Sequence, residues 1–245
     1  MNPKELLDAG KLTEAVRALG AEVRDNPTDI KRRTFLFELL CFAGEYDRAE
    51  KQLEVLAQDN QAAATGGLLY RAALHAERTR QKLFADKDYW KQQSENPSPL
   101  ASPGMLNGTP FEELSDADPR IGRRLEVFAA GAYVWIPFEH IIAIQIPPPR
   151  RLRDLLWASA RVQTGPSFKG ADLGEVLLPV LAPLSWKNPD DNVRLGRATV
   201  WSEEDSGEIV PVGQRLLFAD DEEIPFLDVR KVEFAAPQDA AHTSS

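Results

Sequence analysis

Apolar residues recur every three to four positions through the first 84 residues and every second position from Leu125 onward, so the chain changes from helical to strand periodicity. Helices are predicted at about 3–9, 11–24, 29–43, 45–58 and 62–84. Within them Gly10, Leu12, Ala15 and Leu19 are matched by Gly44, Tyr46, Ala49 and Leu53, each 34 positions later, the tetratricopeptide period. The pattern has a mechanism: a glycine closes one helix, a large residue two positions on seals the turn, and a small alanine lets the second helix pack closely. Asn26-Pro27-Thr28-Asp29 falls where one helix should stop and the next begin, with Thr or Asp available as cap. Arg78 stands where a third glycine would fall, which predicts about two repeats plus one extra helix. So short a solenoid buries its ends poorly, so the following domain is expected to dock on the last helix.

In register with such repeats, Lys31, Thr34, Glu38 and Cys41 on one helix and Leu68, Ala72 and His75 on the next would line a concave groove suited to an amphipathic helix or extended peptide. The competing reading is that several of these side chains pack on the neighbouring helix. Residues 94–110, SENPSPLASPGMLNGTP, hold four prolines and two glycines and predict a linker with neither helix nor strand. Beyond it, 125–128 and 132–136 form a predicted hairpin turning at Gly131, with further strands at 141–146, 157–163, 175–181, 197–202, 212–218 and 226–233. The expected fold is α+β in two domains: tetratricopeptide-like helical repeats over 1–93, a linker over 94–113, a β-rich antiparallel sheet or barrel over 114–234, and a disordered tail over 235–245.

With 245 residues there is room for two modest cores, and 43% hydrophobic with 27% charged residues is ordinary for a folded protein. The net charge of −9 disfavours nucleic acid and anionic membrane as partners, since both need clustered Lys and Arg. One cysteine, Cys41, excludes an internal disulfide and any multi-cysteine metal site. No export signal and no stretch of about 20 apolar residues is visible, so a cytoplasmic location is expected. Asn107-Gly108-Thr109 matches a glycosylation sequon and reads as accidental there.

Motifs for chemistry are sparse. Neither standard phosphate cradle is present, and Gly165 to Gly170 around Ser167 has one residue too many for a nucleophile elbow. His140 lies beside Glu139 and downstream of Asp116 and Asp118, poor support for a metal. No cofactor or metal is expected. Asp116 and Asp118 read as turn caps ahead of Pro119, while Arg153, Asp154 and Arg197 suit buried ion pairs. Trp135, Trp157, Trp186 and Trp201 read as core anchors, any exposed one being a candidate hot spot. The enzyme alternative gathers Asp116, Asp118, Glu126, Arg153 and His140 around one pocket.

DADPRIGRRLEVFAAGAYVWIPFEHI, then LRDLLW, GEVLLPVL, RLGRATVW and VGQRLLF, together resemble the ImpE family of SciE-type proteins over about residues 114–234. The family's motif positions fall on Asp116, Asp118, Leu125, Glu126, Tyr133, Trp135 and Pro137, on Arg153, Asp154 and Trp157, on Gly196, Arg197 and Trp201, and on Gly213, Gln214 and Arg215. Two departures are Asp86-Lys87-Asp88 in place of a glycine turn and Ala182 in place of a tyrosine. The resemblance implies a cytoplasmic accessory protein of type VI secretion with no catalytic residue. It also implies binding to the N-terminal helix of the small sheath subunit, and a link to the AAA+ ATPase ClpV. If the segment 116–137 bound anything, its start at Asp116, Asp118 and Arg120 is the expected exposed place.

Overall fold

The computed structural model describes residues 1–59, 61–89, 103–166, 168 and 173–235. The predicted tail from 236, the predicted linker from 94 to 102 and most of the loop after Gly165 lie outside them.

Asn2 opens α1 (Pro3–Asp8) through reciprocal bonds with Glu5, and Pro3 takes the first turn, where no N–H is needed. α2 (Leu12–Asp25), α3 (Ile30–Phe42), α4 (Tyr46–Asp59) and α5 (Gln61–Ala85) follow, each packed on its predecessor. Asp29 caps α3 by accepting from the Arg32 amide at 3.0 Å, so the stop and start expected at 26–29 are both present. Gly10 and Gly44 have φ of 75° and 72°, the left-handed conformation that ends a helix cheaply only at glycine. Each is also a seat. A Cβ at Gly44 would lie 2.4 Å from the Trp186 ring, and one at Gly10 would lie 2.4 Å from Asn192 Oδ1. At the end of α5, Lys87 takes φ 56° and so supplies the left-handed turn without a glycine.

Thirteen strands follow among the described residues: β1 (Gly104–Leu106), β2 (Thr109–Phe111), β3 (Leu114–Asp116), β4 (Arg124–Ala129), β5 (Ala132–Pro137), β6 (Ile141–Gln145), β7 (Trp157–Thr164), β8 (Glu175–Pro179), β9 (Thr199–Glu203), β10 (Ile209–Gly213), β11 (Leu216–Ala219), β12 (Glu222–Pro225) and β13 (Lys231–Phe234). Eight form one antiparallel sheet in the order β2-β1-β13-β6-β7-β8-β4-β5; β12-β11-β3 and β10-β9 form two smaller sheets. The large sheet is open rather than a barrel, because its last strand, β5, is packed by α5 instead of by a further strand.

Three expectations about strands need correction. Residues 104–111, expected as linker, form a hairpin: Asn107 and Gly108 both take positive φ, 51° and 90°, which is the two-residue turn that suits paired strands. Pro110 is tolerated because β2 is an edge strand. The single strand expected at 212–218 is two, broken between Gly213 and Leu216, and 226–233 begins with a 3₁₀ turn at Phe226–Asp228.

Alternation along the strands divides the interior. Phe128, Tyr133, Trp135, Trp157 and Leu177 join Leu36, Phe37, Leu40 and Leu74 of the helices in one core. Leu125, Val127, Ile144, Val162 and Leu178 turn the other way and meet Leu217 and Phe226 in a second. Both faces of the sheet are therefore covered, and α6 (Asp191–Arg194) sits against α2 at one end of the contact. A Gly108→Ala change, with no atom within 4 Å of the new methyl, should cost about 1–2 kcal/mol for its backbone conformation alone. Gly44→Ala should cost clearly more, because Trp186 must also move; urea denaturation of both variants makes the comparison.

Candidate functional site

α5 presents Glu77, Arg80 and Gln81 to the sheet at i, i+3 and i+4, a spacing that puts all three on one helical face. Arg80 is buried. Its Nε donates to Glu126 Oε1 at 2.7 Å, and Nη2 donates to Glu126 Oε2 at 2.8 Å and to the Leu181 carbonyl at 3.0 Å. Glu77 lies 3.4 Å from Nη1. Glu126, on β4, has no exposed surface and also accepts from the Tyr133 hydroxyl, which in turn accepts from Trp135 Nε1. Arg215 Nη1 lies 3.5 Å from Glu126 Oε2 and donates to the Pro179 carbonyl at 2.8 Å, while its Nε donates to Asp116 at 3.0 Å. The charges therefore alternate along one line: Arg80, Glu126, Arg215, Asp116.

Burial opposes ionisation of Glu126, but Arg80 and Arg215 outweigh it and hold this carboxyl below its ordinary value. At Asp116 burial prevails over Arg215 and raises the carboxyl to about 6. Asp116 and Asp118 make the expected turn caps, accepting from the Asp118 amide at 2.8 Å and the Arg120 amide at 3.0 Å. They are not exposed, however. Asp116, Asp118 and Arg120 are all buried, because Arg120 folds back on Asp118 and its guanidinium lies 4.9 Å from the Phe84 ring centre.

A second set of contacts joins the layers. Trp157 Nε1 donates to Glu77 at 2.8 Å and Trp186 Nε1 to Gln81 at 3.1 Å. Arg153 pairs with Glu38 at 3.6 Å and stands 4.4 Å over the Tyr70 ring. Arg197 donates to the Leu7 and Asp8 carbonyls at 2.7 and 3.1 Å, closing the C-terminal end of α1 rather than forming the expected ion pair. Asp191 accepts from the Thr13 amide at 3.0 Å and so caps α2, whose own N-cap, Lys11, makes no side-chain cap.

Of the expected groove lining, Glu38 and Cys41 are buried under the sheet, and Ala72 meets Gly131 of the β4–β5 turn. The space beside Cys41, enclosed also by Trp157 and Trp186, is ≈ 20 Å³, room for about one water. A partner helix therefore does not fit on that stretch. Burial pushes the Cys41 thiol well up, away from nucleophilic use. Lys31, Thr34, Leu68 and His75 keep access to solvent. The five side chains of the enzyme alternative do not converge: Asp116 and Glu126 are bridged by Arg215, Asp118 pairs with Arg120, Arg153 faces α3, and His140 lies beside Glu139 and Phe168.

The remaining motif positions also fasten the fold. Asp154 accepts from the Arg150 and Arg151 amides, and Gln214 bonds the Gly196 carbonyl and the Leu227 amide. Ala182, which stands in place of the tyrosine expected there, is buried. Trp201 is the exposed tryptophan of the four, 42% accessible and stacked on Phe218. Glu77, Arg80 and Gln81 were not singled out from sequence; the available signal was their place between Leu74 and Phe84 on an otherwise apolar helical stripe.

This arrangement defines an α+β protein in which a helical layer is clamped to an open antiparallel sheet by buried charge. Residues 108–233 match the family model described as ImpE protein. The chain is 33% identical over 271 aligned positions to the type VI secretion system accessory component TagJ of Pseudomonas aeruginosa PAO1, covering 98% of this chain and 93% of that one. Its fold is shared with the crystal structure of protein VPA1032 from Vibrio parahaemolyticus, at TM-score 0.83 and 21% identity over 98% of each chain. The chain belongs to the ImpE family.

Arg80→Met should cost about 3–5 kcal/mol by leaving Glu126 short of its main partner, and Arg80→Met with Glu126→Leu should recover part of that in a double-mutant cycle. Burial, partly offset by Arg153, raises the Glu38 carboxyl to about 6. A folded-state value above the ordinary 4.5 means that the fold binds this proton more tightly than the unfolded chain does. The Glu38 contribution therefore becomes more favourable as pH falls from above 6 to below 4.5. Glu38→Gln should stabilise by about 1–2 kcal/mol at pH 8, with most of the difference lost by pH 4.5 and the rest below it, in denaturation measured from pH 8 down to below 4.5.

Proposed function

We propose that the protein is a non-catalytic accessory component of a bacterial type VI secretion system, acting in the cytoplasm as an adaptor. It binds the N-terminal helix of the small sheath subunit and links the sheath to a ClpV-type ATPase. The observation that carries this reading is the similarity to TagJ along nearly the whole of both chains. Physical support comes from the helical layer, read as a tetratricopeptide-type platform. Ile30, Leu68 and Leu69 keep 47%, 63% and 52% of their surface exposed, and Lys31, Thr34 and His75 supply polar groups on the same two helices. An amphipathic helix covering those leucines would gain apolar burial and hydrogen-bond partners together. That no helix among the described residues is long and apolar enough to cross a membrane is compatible with this role.

Calorimetry of the full chain against a peptide of the sheath subunit's N-terminal helix should show saturable binding with a micromolar dissociation constant, about −8 kcal/mol. Leu68→Glu with Leu69→Glu should weaken it at least roughly tenfold at unchanged helicity. Absence of heat at high peptide concentration would sink the proposal.

A further inference from the structure

We infer that the trough along α2 is a docking site for an acidic helical segment of a partner protein. The trough, ≈ 690 Å³, runs between α2, α4 and the start of α3, and none of its lining comes from the sheet. Four arginines line it, Arg17, Arg24, Arg33 and Arg48, against a single carboxylate, Glu45. In a chain of net charge −9 this is a local reversal of sign. Arg48 is paired with Glu45. Arg33 is held in place by the Pro27 carbonyl at 2.7 Å and Gln52 at 2.9 Å, with no carboxylate. Arg17 and Arg24 are exposed, and neither forms an ion pair with a described residue. They lie seven residues apart on α2, two turns or about 10 Å, so a helix running alongside could set carboxylates two turns apart against both.

Gly20 sits between them. A glycine inside a helix costs stability relative to alanine. Here neither backbone nor packing asks for it: its φ is not positive, and an added Cβ would meet only Arg48 Nη2, at 3.9 Å. What the missing side chain does provide is a low place in the trough wall, beside Val16 and Val23, where another helix can come close. Arginines without counter-charge and a glycine without an internal reason therefore point to the same absent neighbour. Nucleic acid fits less well, since the rest of the acidic chain would repel it. The site shares no residue with the surface proposed for the sheath helix, so the failure of either proposal leaves the other standing.

The test uses the full chain and two synthetic helical peptides of about 18 residues with the same leucine face, one flanked by Glu and one by Lys, read by fluorescence anisotropy. The Glu peptide should bind, more weakly as salt rises, and the Lys peptide should not. Arg17→Glu with Arg24→Glu should lose at least roughly tenfold in affinity with an unchanged melting midpoint. Gly20→Leu should melt no lower than the parent and yet lose binding. Equal binding of the two peptides, or undiminished binding by either variant, overturns the proposal. Tighter binding of a duplex DNA than of the Glu peptide would reassign the trough to nucleic acid. Self-association in sedimentation, abolished by the double arginine variant, would reassign it to a second copy of the chain.

Discussion

Arg80 carries a charge that cannot be deprotonated at any ordinary pH, and the fold leaves only 1% of its surface exposed. Its helix cannot satisfy it alone: Glu77, one turn away, approaches only to 3.4 Å and is also committed to Trp157 and Gln81. The neutralising carboxylate has to come from β4, and Glu126 in turn needs Arg215, which needs Asp116. A buried ion pair of this kind is weak evidence for extra stability, because desolvation consumes most of the Coulombic gain. Its effect is on which arrangement is allowed. Any shift of α5 across the sheet would separate charges in a medium that penalises separation heavily, so the line of four charges fixes how the two layers meet.

Around that line the layers complete one another's unfinished ends. The α2 N-terminus takes its cap from Asp191, the α1 C-terminus takes Arg197, and both repeat glycines receive a side chain from the second half of the chain. Helix ends that would otherwise turn to water are thereby tied to the connection between β8 and β9. One result is that Glu38, Cys41 and Ala72, expected from sequence to line an open groove, are covered by the protein itself.

The helices were readable from sequence because each carries its own period and stop signals: the 34-residue spacing, Gly10 and Gly44, and Asp29 as cap. The hairpin of β4 and β5 was equally local. What escaped depended on distant partners or on a signal read for another purpose. Asn107-Gly108 is a strong hairpin turn, yet in a stretch rich in proline it read as linker, and the β1 strand it serves is paired with β13 from the far end of the chain. Asp116, Asp118 and Arg120 look solvent-facing in a line of text because nothing local reveals Arg215 or Phe84. Glu38 and Cys41 fit a groove by register, and only the placement of Trp157 and Arg153 shows the groove filled. The motif positions identify the family well, and the structure explains most of them as fastenings, with Trp201 left exposed.

The order in which the line of charges is made has its own consequence. Arg80 leaves the ribosome 46 residues before Glu126, and Arg215 follows much later. Throughout that interval the nascent helices hold a cation they cannot bury, so α5 has no completed resting place until β4 emerges. A chain interrupted between them therefore ends with Arg80 lacking its main carboxylate partner. The burial of Arg80 is therefore completed only by residues that follow it in the chain, Glu126 first.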